Sequence, residues 1–205
     1  MVVSAGLSQP SSTRLLGDRL ATATERALAG RGATARRTTI ELREHAQDLV
    51  NHLLTGFPSA PLERALGTVL AADGLIAVTP IFNASYSGLF KVFFDLVEHD
   101  ALAGMPVLAG ATGGTARHSL ALDHAVRPLF ASLAAAVVPT AVYAAAEDWG
   151  RGAMPADTAL SERIERAGAE LAAAMAAGTR QAADDPFDNP VGFEELMRGA
   201  SRDAG

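Results

Sequence analysis

Hydroxyl-bearing residues crowd one short stretch near the start of the chain. Gly6-Leu-Ser-Gln-Pro-Ser-Ser-Thr13 places Ser8, Ser11, Ser12 and Thr13 within six positions. At a helix start, such a stretch offers hydroxyl donors, free backbone N–H groups and the positive end of the helix dipole, a set that holds a phosphate. The same residues also serve as a plain cap, with Ser11 or Ser12 capping and the others solvated. A second cluster, Pro80-Ile-Phe-Asn-Ala-Ser-Tyr-Ser-Gly88, sets Asn83, Ser85 and Ser87 in a loop behind a proline. Its backbone amides can meet the edge of a planar ring while Ile81 and Phe82 cover it; an ordinary capped loop reads alike. A third, Thr112-Gly-Gly-Thr115, removes side chains at Gly113 and Gly114, either for close approach to the backbone or for a tight turn. Neither GxxxxGK[ST] nor GxGxxG occurs, which disfavours P-loop nucleotidases and dinucleotide folds of that type.

Each cluster follows a short apolar run. Met1 to Ala5 precedes the first, Gly74 to Thr79 the second (stopped by Pro80), and Pro106 to Thr112 the third. Weaker runs lie at Thr38 to Leu42 and Val137 to Ala144. Runs without polar alternation predict parallel strands covered on both faces. Between them, helices are predicted over Ser12 to Ala29, Leu62 to Ala72, Ser87 to His99, Ala116 to Ala135 and Asp157 to Ala177. Five strands alternating with helices predict an α/β chain with a doubly wound parallel sheet in the flavodoxin-like order 2-1-3-4-5. The expected organisation is one domain over residues 1–180 and an irregular Pro/Asp-rich tail over 181–205, with a short helix from Phe193 to Arg198. In such a sheet ligands bind beyond the carboxyl ends of the strands. The three clusters therefore fall at one shared rim.

Composition narrows the classes. The chain has 205 residues, enough for one sizeable core, and 49% are apolar. It contains no Cys, which excludes thiolate nucleophiles, zinc-thiolate and iron–sulfur sites. Seventeen basic against 23 acidic residues give a net charge of -6, an argument against a nucleic-acid partner. Sixteen of the basic residues are Arg; the one Lys, Lys91, can pair with Asp95 within a helix. Mean hydropathy is +0.17. The longest nearly apolar stretch, Leu133 to Ala146, contains Pro139 and falls short of the roughly 20 residues a spanning helix needs, so no membrane segment is expected. The start of the chain lacks a secretory pattern, and the expectation is a cytoplasmic protein. The five histidines, His45, His52, His99, His118 and His124, contain no i, i+4 pair, and no metal site is expected.

The two later clusters carry a resemblance. Thr79-Pro-Ile-Phe-Asn-Ala-Ser-Tyr-Ser-Gly-Leu-Phe-Lys91 with Asp95 resembles the TP-x-Y/F-x-x-x-x-SG-x-x-K-x-x-x-D signature of NAD(P)H-dependent FMN reductases. Ala111-Thr-Gly-Gly-Thr115, followed by His118, Leu122, Asp123, Arg127-Pro128 and Leu133, is similar to the subgroup that feeds alkanesulfonate and related two-component monooxygenases. The likeness spans most of residues 1 to about 145 and thins between Ala33 and Pro61. It implies FMN phosphate binding by Ser8, Ser11, Ser12 and Thr13. It also implies contacts of Pro80, Ile81, Phe82, Asn83 and Ser85 with the isoalloxazine and ribityl region, and a place for Thr112, Gly113 and Gly114 along the ring, where nicotinamide of NADPH or NADH also stacks. Many relatives read Gly-Ser-x-Arg in the first loop, where this chain has Gly6-Leu7-Ser8-Gln9. In the sulfonate-linked relatives an inserted residue goes with a π-bulge at the subunit interface, which the resemblance carries to His124.

What the resemblance implies is an NAD(P)H:FMN oxidoreductase that supplies reduced flavin to a partner flavin-dependent monooxygenase. No acid–base side chain is obligatory, because flavin carries the redox chemistry. The helix Ser87 to His99 is apolar nearly all round, so one face packs on the sheet and the other on a second subunit of a dimer or tetramer. Two alternatives stand beside this reading: an FMN-containing quinone, azo-dye or metal-oxyanion reductase, and a non-enzymatic flavodoxin-like electron carrier. His118, just past the glycine turn, is either polar surface or a contact to the nicotinamide phosphate side.

Overall fold

The computed structural model describes residues 1–149 and 158–178. The expected tail and its short helix lie outside them. Parallel strands β1 (Val2–Ser4), β2 (Thr39–Glu41), β3 (Leu75–Phe82) and β5 (Pro106–Gly113) stand in the order β2-β1-β3-β5. β6 (Ala136–Val137) and β7 (Val142–Ala145) both pair with β5 on its outer side. Together they form the fifth position, so the observed order is the expected 2-1-3-4-5. β4 (Ser85–Tyr86) adds a short antiparallel hairpin at the end of β3. Alternate strand residues feed two cores. Val3, Leu75, Ala77 and Val107 face helices α2 (Ala46–Thr55), α3 (Ala60–Leu70), α4 (Gly88–Asp95) and α5 (Arg127–Ser132). Val2, Ile76, Val78 and Leu108 face α1 (Ser12–Ala29) and α6 (Thr158–Ala176). Both faces are covered, which is why these strands read as unbroken apolar runs.

Four expectations are corrected. First, β3 does not stop at Pro80 but runs on to Phe82. The N–H of Ile76 donates to Met1 O and the carbonyl of Val78 accepts from Ala5, so residues 76, 78 and 80 turn their backbone toward β1. Because β1 ends at Ser4, the donor that Pro80 lacks has no partner to lose. Second, the run from Val137 to Ala144 is broken at Pro139. The freed backbone groups are bonded by side chains: Arg127 donates to the carbonyls of Val138 and Pro139, while Glu170 accepts from Thr140 N–H and its hydroxyl, each at 2.7 Å.

Third, the predicted helix from Ala116 to Ala135 is three pieces: a 3-10 turn over Ala116–His118, a π turn over Leu122–Val126, and α5. Arg127 N–H bonds the carbonyl of Leu122, five residues back. Pro128 follows directly; it has no N–H, and its ring crowds the carbonyl four residues earlier, at His124. The turn before it widens accordingly, and the bulge expected at His124 is present. Fourth, α4 ends at Asp95 rather than His99. Phe90, Phe93 and Phe94 lie in the chain's own core, while Leu89, Val92 and Leu96 are half-buried. Exposed large apolar side chains gather instead on and after α2, at Val50, Leu53, Leu54 and Phe57.

Candidate functional site

The carboxyl ends of β1, β3 and β5 carry the three clusters, and the structure ties them together. Ser11 caps α1, its Oγ accepting from Arg14 N–H at 3.2 Å. That leaves its hydroxyl proton free to donate outward. The amides of Ser12 and Thr13, in the first turn, have no partner among the described residues, as the geometry of a helix start dictates. Gly6 lets the loop fold tightly over this cap: a Cβ there would lie 2.0 Å from Ser11 Oγ. Ser8 and Ser12 are exposed on the rim, whereas Thr13 is buried.

Thr13 Oγ1 and Thr112 Oγ1 form a buried hydrogen bond of 2.7 Å, joining the loop after β1 to the end of β5. Thr112 is in turn the register partner of Pro80 across the sheet. Three segments more than 30 residues apart in sequence therefore meet within one pair of strands and one hydroxyl contact. The pair has two protons, and only one lies in the mutual bond, so the other can donate outward. Thr112→Val strands the Thr13 hydroxyl in a dry site and costs about 1–3 kcal/mol, whereas the double variant Thr13→Val/Thr112→Val recovers most of that loss. Urea unfolding of the three variants checks this; additive losses would show that the hydroxyls do not depend on each other.

The second cluster is a two-residue hairpin. Asn83 and Ala84 have φ of 48° and 67°, the left-handed pair that a type I′ turn requires. Thr79 Oγ1 accepts from Ser87 N–H at 3.1 Å, which fixes the hairpin base to the start of α4. Phe82 and Asn83 are exposed at the tip, and Pro80 and Ser85 are half-buried. Ile81 turns inward and packs in the core beneath them. In the third cluster Gly113 lies against Tyr143: a Cβ would come within 2.0 Å of Tyr143 Oη. That phenol donates to Thr115 O at 2.8 Å and pins the turn. Burial, reinforced by Glu147 and Asp148, pushes its pKa up, so it remains a donor at neutral pH. Around Gly114 the space where a side chain would stand is open. His118 and His124 are both exposed.

Arg14, the basic residue nearest the first loop in sequence, turns away from it to Asp18 at 2.9 Å and Glu41 at 2.5 Å. A different guanidinium reaches the loop. Arg43, in the 3-10 turn Leu42–His45 after β2, donates to Ser8 O at 3.1 Å. Sequence reading missed it, because the contact spans 35 residues and nothing local marks it. A cleft of about 490 Å³ opens at the opposite end of the sheet, among Met1, Leu28, Arg36, Gly74 and Met175. The convergence of three loops, not cavity size, distinguishes the carboxyl end. The loops suit a flat ligand bearing a phosphate: hydroxyls and free amides at a helix start, two glycine positions bare of side chains, and an open hairpin tip. Among the described residues no cluster of His, Asp and Glu could hold a metal ion, and no helix is long and apolar enough to cross a membrane.

Comparison with known proteins gives a consistent picture. A family model described as NADPH-dependent FMN reductase matches residues 1–150. An FMN reductase (NADPH) of Pseudomonas aeruginosa is 37% identical over 178 residues, covering 87% of this chain and 92% of that protein. The NADH-dependent FMN reductase SfnF of Pseudomonas putida is 41% identical over 127 residues, 62% of this chain and 68% of that one. Among solved structures, an oxidoreductase from Corynebacterium diphtheriae superposes with a TM-score of 0.82 at 46% identity, covering 86% of this chain and 95% of its own. The apo form of an NADH:FMN oxidoreductase, EmoB, superposes with a TM-score of 0.74 at 26% identity, covering 92% and 97%.

Proposed function

This chain belongs to the family of NADPH-dependent FMN reductases and is an NAD(P)H:FMN oxidoreductase; we propose that it supplies reduced flavin to a separate flavin-dependent monooxygenase. The observation that carries the reading is the Thr13–Thr112 bond with its Pro80 neighbour, which draws the three loops onto one rim. The FMN phosphate is held by the Ser8, Ser11 and Ser12 hydroxyls and by the free amides at the start of α1. The outward proton of the Thr13–Thr112 pair adds a further donor. Pro80, Phe82, Asn83 and Ser85 border the isoalloxazine edge and the ribityl chain, with Ile81 supporting them from below. Thr112, Gly113 and Gly114 lie along the ring, bare enough for nicotinamide to stack.

Bound FMN supplies the redox chemistry, accepting a hydride from the nicotinamide. The protein's part is to orient the ring and leave one face open, and the exposed rim at Ser8, Phe82, Asn83 and Gly114 suits a flavin that leaves after reduction. The block Ala111–Thr115 followed by the π turn at Leu122–Val126 supports the likeness to reductases of two-component systems. A homo-oligomer fits the exposed apolar residues of α2 beside the half-buried face of α4. Steady-state NADH and NADPH oxidation, with and without added FMN, tests the reading. The expected result is turnover that requires added FMN and delivers reduced flavin to a monooxygenase. A tightly yellow protein with ping-pong kinetics toward quinones would replace it with a quinone or azo reductase.

A further inference from the structure

The loop from Gly6 to Thr13 contains no basic residue of its own. Its outer part, Leu7 to Pro10, is exposed, and among the described residues the hydrogen bond that ties the backbone of this stretch to the body is the one Arg43 Nη1 donates to Ser8 O, at 3.1 Å. With the Gln9 amide oriented so that its oxygen faces the guanidinium, Gln9 also accepts from Nη1 at 3.0 Å and Nη2 at 2.7 Å. The fork of Arg43 therefore grips two successive loop residues. Its own position is fixed from behind. Nη2 meets Glu41 Oε2 at 2.5 Å, the side chains of Arg43 and Glu41 are only 19% and 15% exposed, and fully buried Leu42 anchors the turn between them. The other oxygen of Glu41 takes Arg14, which is further neutralised by Asp18. Arg14 is thus spent on two carboxylates, whereas Arg43 shares Glu41 with it and turns the rest of its fork to the loop.

We propose that Arg43 is the positioning residue of the phosphate loop: from the edge of β2 it holds Ser8 and Gln9 in the shape that takes a phosphate monoester, and so sets the preference for FMN over riboflavin. The inference rests on the flavin reading above and deepens it. A guanidinium suits this task because its planar fork holds the loop's acceptors and the Glu41 carboxylate at once. Lysine offers the charge without the fork. Hydrogen bonds to charged groups of this kind correspond to about 10- to 100-fold in an equilibrium constant.

The test is equilibrium titration of flavin fluorescence with FMN and with riboflavin, on the intact chain and on Arg43→Met, Arg43→Lys and Gln9→Leu. The intact chain is expected to bind FMN at least tenfold more tightly than riboflavin. Arg43→Met raises the FMN dissociation constant about tenfold or more and leaves that for riboflavin within about twofold. Arg43→Lys recovers only part of the loss, and Gln9→Leu, at an exposed position that folding does not need, shifts FMN binding in the same direction by less. Equal loss for both flavins would reduce Arg43 to a structural residue, and an unchanged FMN constant would remove it from the site; either overturns the proposal. Kinetics separate the two levels. An intact chain that discriminates FMN but does not oxidise NAD(P)H strikes the reductase reading alone, whereas normal turnover with an unchanged FMN-to-riboflavin ratio in Arg43→Met strikes the proposal alone.

Discussion

Gly113→Ala lowers FMN-dependent oxidation of NAD(P)H about a hundredfold while leaving the chain folded. The added Cβ would lie 2.0 Å from Tyr143 Oη, a distance that real atoms do not keep, and in a tight contact of 3.0 Å with Cζ. Tyr143 cannot easily yield, because its ring is buried and its hydroxyl is bonded to Thr115 O at 2.8 Å. The strain is relieved by lifting the backbone of residues 112 to 115 outward, into the space that the proposed reading gives to the flavin ring. A displacement of about 1 Å at such a position costs on the order of a hundredfold in rate. Tyr143→Phe alone removes one hydrogen bond and costs about 1 kcal/mol of stability. Combined with Gly113→Ala it removes the nearest clashing atom, so the double variant turns over faster than Gly113→Ala, a coupling that a double-mutant cycle in FMN affinity and rate measures. Wild-type kinetics in Gly113→Ala would mean that the ring does not pass this strand end.

The pieces of this site that sequence could reveal are those with local signatures. Pro80, the Gly113-Gly114 pair and the serines after Gly6 punctuate apolar runs, and the alternation of those runs with helices places them at one end of a parallel sheet. What was hidden depends on partners remote in sequence. Pro80 looks like a strand terminator until β1 is seen to end before reaching it. Arg14, nearest the loop in sequence, is claimed by Asp18 and Glu41, and Arg43 looks like any surface arginine until the sheet carries it beside Ser8. α2 is not among the predicted helices although Leu49, Val50, Leu53 and Leu54 recur at helical spacing, and of these only Leu49 is buried in the fold. The fifth strand read as one run because its apolar composition conceals the break at Pro139, whose freed backbone groups Arg127 and Glu170 bond.

Phe94→Ala has the largest expected effect on stability, and it separates the scaffold from the site. Phe94 is almost fully buried, with ring centroids 4.8 Å from Phe90 and 4.9 Å from Phe130, the latter edge-on. Truncating such a side chain leaves a cavity that close-packed neighbours fill only in part, and costs about 3–5 kcal/mol. For a chain of this size that corresponds to a fall in Tm of roughly 6–20 °C. Phe94→Leu keeps most of the volume and loses far less. The cluster joins α4, whose start is fixed to the hairpin by Thr79 and Ser87, to α5, which follows the π turn. Its ring contacts reach the hairpin through Tyr86, whose centroid lies 5.9 Å from that of Phe90, and among the described residues no ring contact joins it to the loops after β1 and β5, so FMN affinity at 25 °C is expected to stay within a few-fold of the intact chain while the protein melts early. Denaturant unfolding and flavin titration on the same samples read both quantities. A loss below about 1 kcal/mol would show that the core closes around the missing ring, and an FMN affinity that falls in step with stability would show that hairpin and aromatic cluster move as one unit.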